Sequence, residues 1–154
     1  LDFASKKLEQ PAHHSYIITE PWFATDGNSL FFVSNRQGTP EIYSLNFTSG
    51  VISRVTYNGD YNVTPRIMPD GNTLVMIHKN DQGYTIAKQN LQDSVLMVLT
   101  TAGLLQSPTV APNGSMIMYS NQTGVGRLDI VSSNGKSHWR LPALNGNMQE
   151  PAWS

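Results

Sequence analysis

The chain has 154 residues, a net charge of −1 and only 14% charged residues. That length is enough for one domain with a buried core, and the near-neutral charge argues against a nucleic-acid or anionic-membrane surface. Twelve glycines and nine prolines predict many turns, and the lack of cysteine excludes a disulfide framework or a thiolate metal site.

The sequence is periodic. Pro21, Pro65, Pro108 and Pro151 recur at intervals of 44, 43 and 43 residues. The first unit, about 20–56, carries an Asp26-Gly27 turn and then the apolar strand Leu30-Phe31-Phe32-Val33. A polar loop (34–38), a third strand (Glu41–Asn46), a second turn (48–50) and an outer strand (Val51–Thr56) follow. The second unit, 57–100, repeats this order: Asp70-Gly71, Leu74–Ile77, a loop over 79–83, Tyr84–Asn90, Gln92-Asp93 and Val95–Thr100. The third, 101–141, does so with Asn113-Gly114, Met116–Tyr119, 121–124, Arg127–Ser132, Asn134-Gly135 and His138–Leu141. Asp-Gly or Asn-Gly between apolar segments is a strong hairpin signal, because such turns need a residue with positive φ. A four-residue apolar run bounded by turns reads as a strand covered on both faces. Four short strands at a period in the low forties predict β-propeller blades. Helical repeats would need a 3.6-residue amphipathic period, which no window shows.

Glu20-Pro21-Trp22-Phe23, Ser34-Asn35-Arg36, Ile42-Tyr43, Val55-Thr56 and Pro69-Asp70-Gly71 resemble the PD40 repeats of WD40-like propellers. Residues 56–62, 86–91, 107–115 and 140–143 together resemble the C-terminal propeller of the TolB family, and the likeness covers nearly the whole chain. It implies an all-β fold, part of a six-bladed β-propeller. Residues 1–10 then read as the outer strand of a preceding blade and 148–154 as the innermost strand of a following one. The family's N-terminal α/β domain is absent from the sequence, and the missing blades are expected to come from another chain or to have been left out. Such an open half-ring is expected to expose the apolar faces of its end blades.

The resemblance also implies a periplasmic, non-enzymatic interaction module that binds the peptidoglycan-associated lipoprotein Pal. It supports outer-membrane integrity and cell division, serves as a docking surface for colicins, and reaches TolA through the absent N-terminal region. No direct membrane insertion and no nucleic acid are implied. The family's Pal-contacting positions lie in the loop before the first repeat proline, here His14 to Glu20. Thr19 and Glu20 follow from that match. Repeat equivalence adds Val63, Thr64, Gln106, Ser107, Gln149 and Glu150, and Tyr61 joins as an aromatic anchor. Each has an equally plain reading as a strand-leading residue that caps backbone groups. Asn35, Arg36, Lys79 and Asn80 are expected to form a polar rim, Tyr57 to anchor a partner or stack on the next blade, and Trp22 and Trp153 to lie in the core.

His13, His14, His78 and His138 fall at unrelated blade positions, so no metal site is expected. No cofactor is expected either; the resemblance allows a calcium ion in the channel, but no ligand set stands out. No Gly-x-Ser-x-Gly motif or paired carboxylates mark a catalytic centre. PD40 repeats also build the gating propeller of prolyl-oligopeptidase-like serine peptidases, which is the alternative reading.

Overall fold

The computed structural model describes residues 16–142. They form three four-stranded antiparallel sheets, each a meander in sequence order. The first holds β1 (Ile18–Phe23), β2 (Ser29–Ser34), β3 (Glu41–Asn46) and β4 (Ile52–Arg54). The second holds β5 (Asn62–Ile67), β6 (Thr73–Asn80), β7 (Gly83–Asn90) and β8 (Leu96–Val98). The third holds β9 (Leu105–Val110), β10 (Met116–Asn121), β11 (Arg127–Ser132) and β12 (His138–Arg140). The edge strands β1, β5 and β9 are successive neighbours, β1 against β5 and β5 against β9. The strands expected over 1–10 and 148–154 lie outside the described residues.

The apolar runs become the second strand of each sheet. Leu74, Val75 and Met76 are fully buried. Because side chains alternate across a strand, Phe31 and Val33 enter the core shared with Leu74, Ile77, Ile86, Leu105, Ile117 and Val131. Phe32 on the other face joins Tyr43 and Leu45 in a second cluster. Ile18, Phe47 and Ile52 pack around it, and the Arg36 guanidinium lies 5.0–5.5 Å from the ring centres of Tyr16, Phe32 and Tyr43. Phe23, Val125 and Trp139 do stay exposed.

The first turn of each sheet is a five-residue connection in which only the glycine takes a positive φ: Gly27 at 70°, Gly71 at 71° and Gly114 at 75°. The preceding Asp or Asn instead accepts a backbone hydrogen bond two residues on, as Asp26 does from Asn28 and Asp70 from Asn72. The loop expected over 79–83 is largely strand. β6 and β7 pair out to Asn80 opposite Gly83, leaving a two-residue connection.

The threonines that end the first two outer segments are structural. Thr56 Oγ1 accepts from the Ile42 N–H at 3.0 Å, and Thr100 Oγ1 from the Ile86 N–H at 3.0 Å. Thr56 also donates to Glu41 Oε1 at 2.6 Å, where Asn62 Nδ2 donates at 2.8 Å. Arg54 lies 3.4 Å from Glu41 Oε2. Glu41 and Asn62 are fully buried, and Asn62 Oδ1 pairs with His78 Nδ1 at 2.8 Å. A chain of polar groups therefore joins the first sheet to the second.

Burial holds the His78 imidazole below its usual pKa of 6.5, with the Glu41 carboxylate opposing. A depressed histidine favours the neutral ring, so its stabilisation is complete above pH 6.5 and is lost as pH falls from there toward the folded value. Acidification from pH 7.5 to 5.5 is expected to lower the thermal midpoint more in the wild type than in His78→Gln. Equal drops would show that His78 does not carry the effect.

Candidate protein-binding site at the starts of the inner strands

Glu20, Thr64 and Ser107 occupy equivalent positions, each directly before a repeat proline. All three have left-handed backbones, with φ of 55°, 57° and 54°. At each, strand pairing slips: between Thr19 and Trp22 in β1, between Val63 and Arg66 in β5, and opposite Met118–Ser120 in β9. A β-bulge explains both features, because proline cannot donate to the ladder and is tolerated on edge strands and at bulges. A non-glycine residue held there costs on the order of 1–3 kcal/mol, and such strain concentrates at functional sites. Thr64 is the most strained by type, being β-branched. Thr64→Gly is expected to raise stability by about 1 kcal/mol, as relief of strain outweighs the added freedom of the unfolded chain. Urea unfolding measures this, and a lower midpoint would mean that contacts of the Thr64 side chain outweigh its strain.

The three bulges open onto one cleft of about 510 Å³. Glu20 comes from the first sheet, Tyr61, Val63, Thr64, Arg66, Ile77 and Tyr84 from the second and its approach, and Leu104, Leu105, Gln106 and Ser107 from the third. The Glu20 carboxylate accepts a short hydrogen bond from the Thr64 N–H, bridging the first and second sheets. Tyr61 and Tyr84 meet edge to face, ring centres 5.4 Å apart. The Arg66 guanidinium lies 4.2 Å from the Trp22 ring centre. Burial lowers the Arg66 pKa against the pull of Glu20. Burial also raises that of Tyr61, helped by Tyr84 and Glu20, which keeps the phenol a neutral donor.

Six of the residues chosen from the sequence thus line one cleft: Glu20, Tyr61, Val63, Thr64, Gln106 and Ser107. Thr19 is exposed on β1 opposite Val33, beside the cleft rather than in it. His14, Gln149 and Glu150 lie outside the described residues, as do His13 and Trp153. The expected rim is only partly present. Asn35 Oδ1 accepts from the Ile17 N–H, Arg36 is spent on three rings, and Asn80 Oδ1 closes its own turn. Lys79 does not line the cleft but lies 5.6 Å from the ring centre of Tyr84, which does.

Trp22 corrects its expected core position: it is 39% exposed, because β1 is an edge strand and its indole is covered by Arg66. Tyr57 is exposed and lies 4.6 Å from the Arg54 guanidinium rather than on the next sheet. Arg66, Ile77, Tyr84, Leu104 and Leu105 escaped sequence reasoning. Tyr84 was within its reach, as an aromatic residue opening the strand that pairs with Lys79. Among the described residues no three His, Asp or Glu side chains gather as a metal site.

Repeated four-stranded meanders with a Pro-led inner strand define the chain as a PD40-type β-propeller segment. The family model described as the TolB beta propeller domain matches residues 1–154, and the chain belongs to that family. The Tol-Pal system protein TolB of Pseudomonas aeruginosa is 47% identical over 100 residues, covering 62% of this chain and 23% of that protein. The Tol-Pal system protein TolB of Hamiltonella defensa is 36% identical over 106 residues, covering 68% and 25%. The chain thus spans about a quarter of the length of these relatives. The crystal structure of TolB from Acinetobacter baumannii superposes with a TM-score of 0.82 at 32% identity, over 91% of this chain and 35% of that one. A prolyl endopeptidase structure superposes at 0.65 with 16% identity, over 86% of this chain and 23% of that one, a likeness of fold alone.

Proposed function

We propose that the protein is a periplasmic, non-enzymatic interaction module of a Tol–Pal system, and that the cleft around Glu20, Thr64 and Ser107 binds the lipoprotein Pal. On this reading it belongs to a six-bladed propeller whose other blades and TolA-contacting domain lie elsewhere. It helps to hold the outer membrane to the layers beneath during division, and colicins dock on the same surface. The observation that carries the reading is convergence: three equivalent strained positions from three blades line one cleft with two tyrosines. Strain recurring at one edge of a repeat fold, beside aromatic side chains, is what a preorganised protein-binding site needs.

Calorimetric titration with Pal tests it. Replacing Thr19 and Glu20 together by alanine is expected to weaken binding at least ~10-fold, about 1.4 kcal/mol. Unchanged affinity would remove those positions from the site, and no binding by the wild type would remove the function.

A further inference from the structure

Five Asp-Gly or Asn-Gly steps fall among the described residues: Asp26-Gly27, Asn58-Gly59, Asp70-Gly71, Asn113-Gly114 and Asn134-Gly135. Such a step is chemically labile, because glycine has no side chain to shield its amide nitrogen from the side-chain carbonyl carbon of the residue before it. Whether that nitrogen attacks depends on what already holds it. In four of the five the step is held twice. Gly27, Gly71, Gly114 and Gly135 each donate the N–H to the carbonyl three residues back, at 2.8–3.0 Å. The side chains of Asp26, Asp70, Asn113 and Asn134 are held too, each Oδ1 accepting the N–H two residues on at 2.8–3.0 Å.

Asn58-Gly59 has neither bond. Both residues are exposed on the bend that joins β4 to β5, and so the first sheet to the second. Among the described residues, nothing accepts from the Gly59 N–H and nothing bonds the Asn58 side chain. The bond present at this step is on its peptide carbonyl: Asn62 Nδ2 donates to the Asn58 oxygen at 2.9 Å. A donor on the carbonyl oxygen polarises the peptide and makes the Gly59 N–H more acidic.

We propose that Asn58 is a site of deamidation and isoaspartate formation, and that the reaction loosens the join between the first two sheets. The Gly59 nitrogen loses its proton to solvent base and attacks Asn58 Cγ. The N–Cγ bond forms, the Cγ–Nδ2 bond breaks, and the side-chain nitrogen leaves as ammonia. Water then opens the five-membered imide. Breaking the N–Cγ bond gives aspartate on an unaltered chain. Breaking the bond from that nitrogen to the Asn58 backbone carbonyl carbon gives isoaspartate, with the chain running through Cβ and Cγ. The isoaspartyl form turns the Asn58 carbonyl into a free carboxylate and adds a methylene to the backbone. Space for it is short on one side, since a Cβ on Gly59 would stand 3.2 Å from His78 Cε1 and 3.3 Å from the Lys79 carbonyl oxygen. The lengthened bend must therefore move off β6. Asn62 then loses a fixed acceptor, and Asn62 is the residue that joins Glu41 to His78.

The test is incubation of the folded protein at mildly alkaline pH, with peptide mapping by mass spectrometry at intervals and isoaspartate counted by enzymatic methylation. Asn58 is expected to convert at least ~10-fold faster than Asn113 or Asn134, where two hydrogen bonds must break first. In guanidinium chloride the three Asn-Gly steps are expected to convert at similar rates, because the folded structure alone sets them apart. Asn58→Gln, which keeps the peptide carbonyl for Asn62, is expected to remove the reaction at this bend. The isoaspartyl fraction is expected to melt below the fresh protein. Asn58→Asp, which adds the charge without lengthening the chain, is expected to melt with the fresh protein. Equal rates at the three steps in the folded protein, a preference for Asn58 that persists in guanidinium chloride, or an isoaspartyl fraction as stable as the fresh protein would each overturn the proposal. None of these readouts depends on Pal, so they stand or fall apart from the binding function proposed above.

Discussion

Glu41→Ala is expected to lower the unfolding free energy by about 3–5 kcal/mol, the cost of removing one partner from a buried charged network. Glu41 is fully buried and serves four neighbours: the Thr56 hydroxyl, the Asn62 amide, the Thr39 hydroxyl at 3.4 Å and the Arg54 guanidinium. Truncation leaves two buried donors and a mostly buried cation without a carboxylate. Glu41→Gln keeps an acceptor for Thr56 and Asn62 and loses chiefly the Arg54 contact, so its expected cost is about 1–2 kcal/mol. Chemical denaturation of the two variants separates these terms. Equal losses would mean that volume and not hydrogen bonding makes Glu41 necessary. Such a large effect at one side chain follows from placement. Glu41 starts β3, Thr56 follows β4 and Asn62 starts β5, so one carboxylate ties the outer part of the first sheet to the inner strand of the second.

This network shows where sequence reasoning stopped. The blades were legible because their signals are local: Pro21, Pro65 and Pro108 at constant spacing, a glycine turn, then an apolar run. Glu41 gave no such signal. A single glutamate at the head of a strand looks like a solvated surface residue, and only the neighbouring sheet makes it buried. Trp22 failed in the opposite direction, since an aromatic residue in a repeat suggests core while an edge strand leaves it to Arg66. The cleft was half legible. Repeat equivalence aligned Glu20, Thr64 and Ser107, but Glu, Thr and Ser do not announce a left-handed backbone as glycine or asparagine would. Arg66 comes into the cleft through the bulge and the packing of successive sheets, which no spacing rule encodes.

If the proposed Pal-binding function holds, its largest single-residue effect is expected at Tyr61. Tyr61→Ala is predicted to cost 2 kcal/mol or more in Pal affinity, roughly 30-fold, in the range of interface hot spots. Its place favours that role. Tyr61 is half-buried among Val63, Arg66 and Tyr84 and meets Tyr84 edge to face, so little side-chain freedom remains to be lost on binding. Its backbone is equally fixed. The Tyr61 carbonyl accepts from the Lys79 N–H at 3.1 Å, and the next residue is the Asn62 held by Glu41. Tyr61→Phe keeps the ring and its contact with Tyr84, and is expected to lose under ~3-fold unless the phenol bonds the partner. The pair is measured by calorimetry against Pal, with thermal midpoints recorded to separate folding from binding. An alanine variant that stays folded and binds Pal as the wild type does would place the contact away from this cleft. A phenylalanine variant as weak as alanine would assign the energy to the hydroxyl. Because Glu41 sets the root of Tyr61, Glu41→Gln should weaken Pal binding slightly at a temperature where it is fully folded, although it lies outside the cleft.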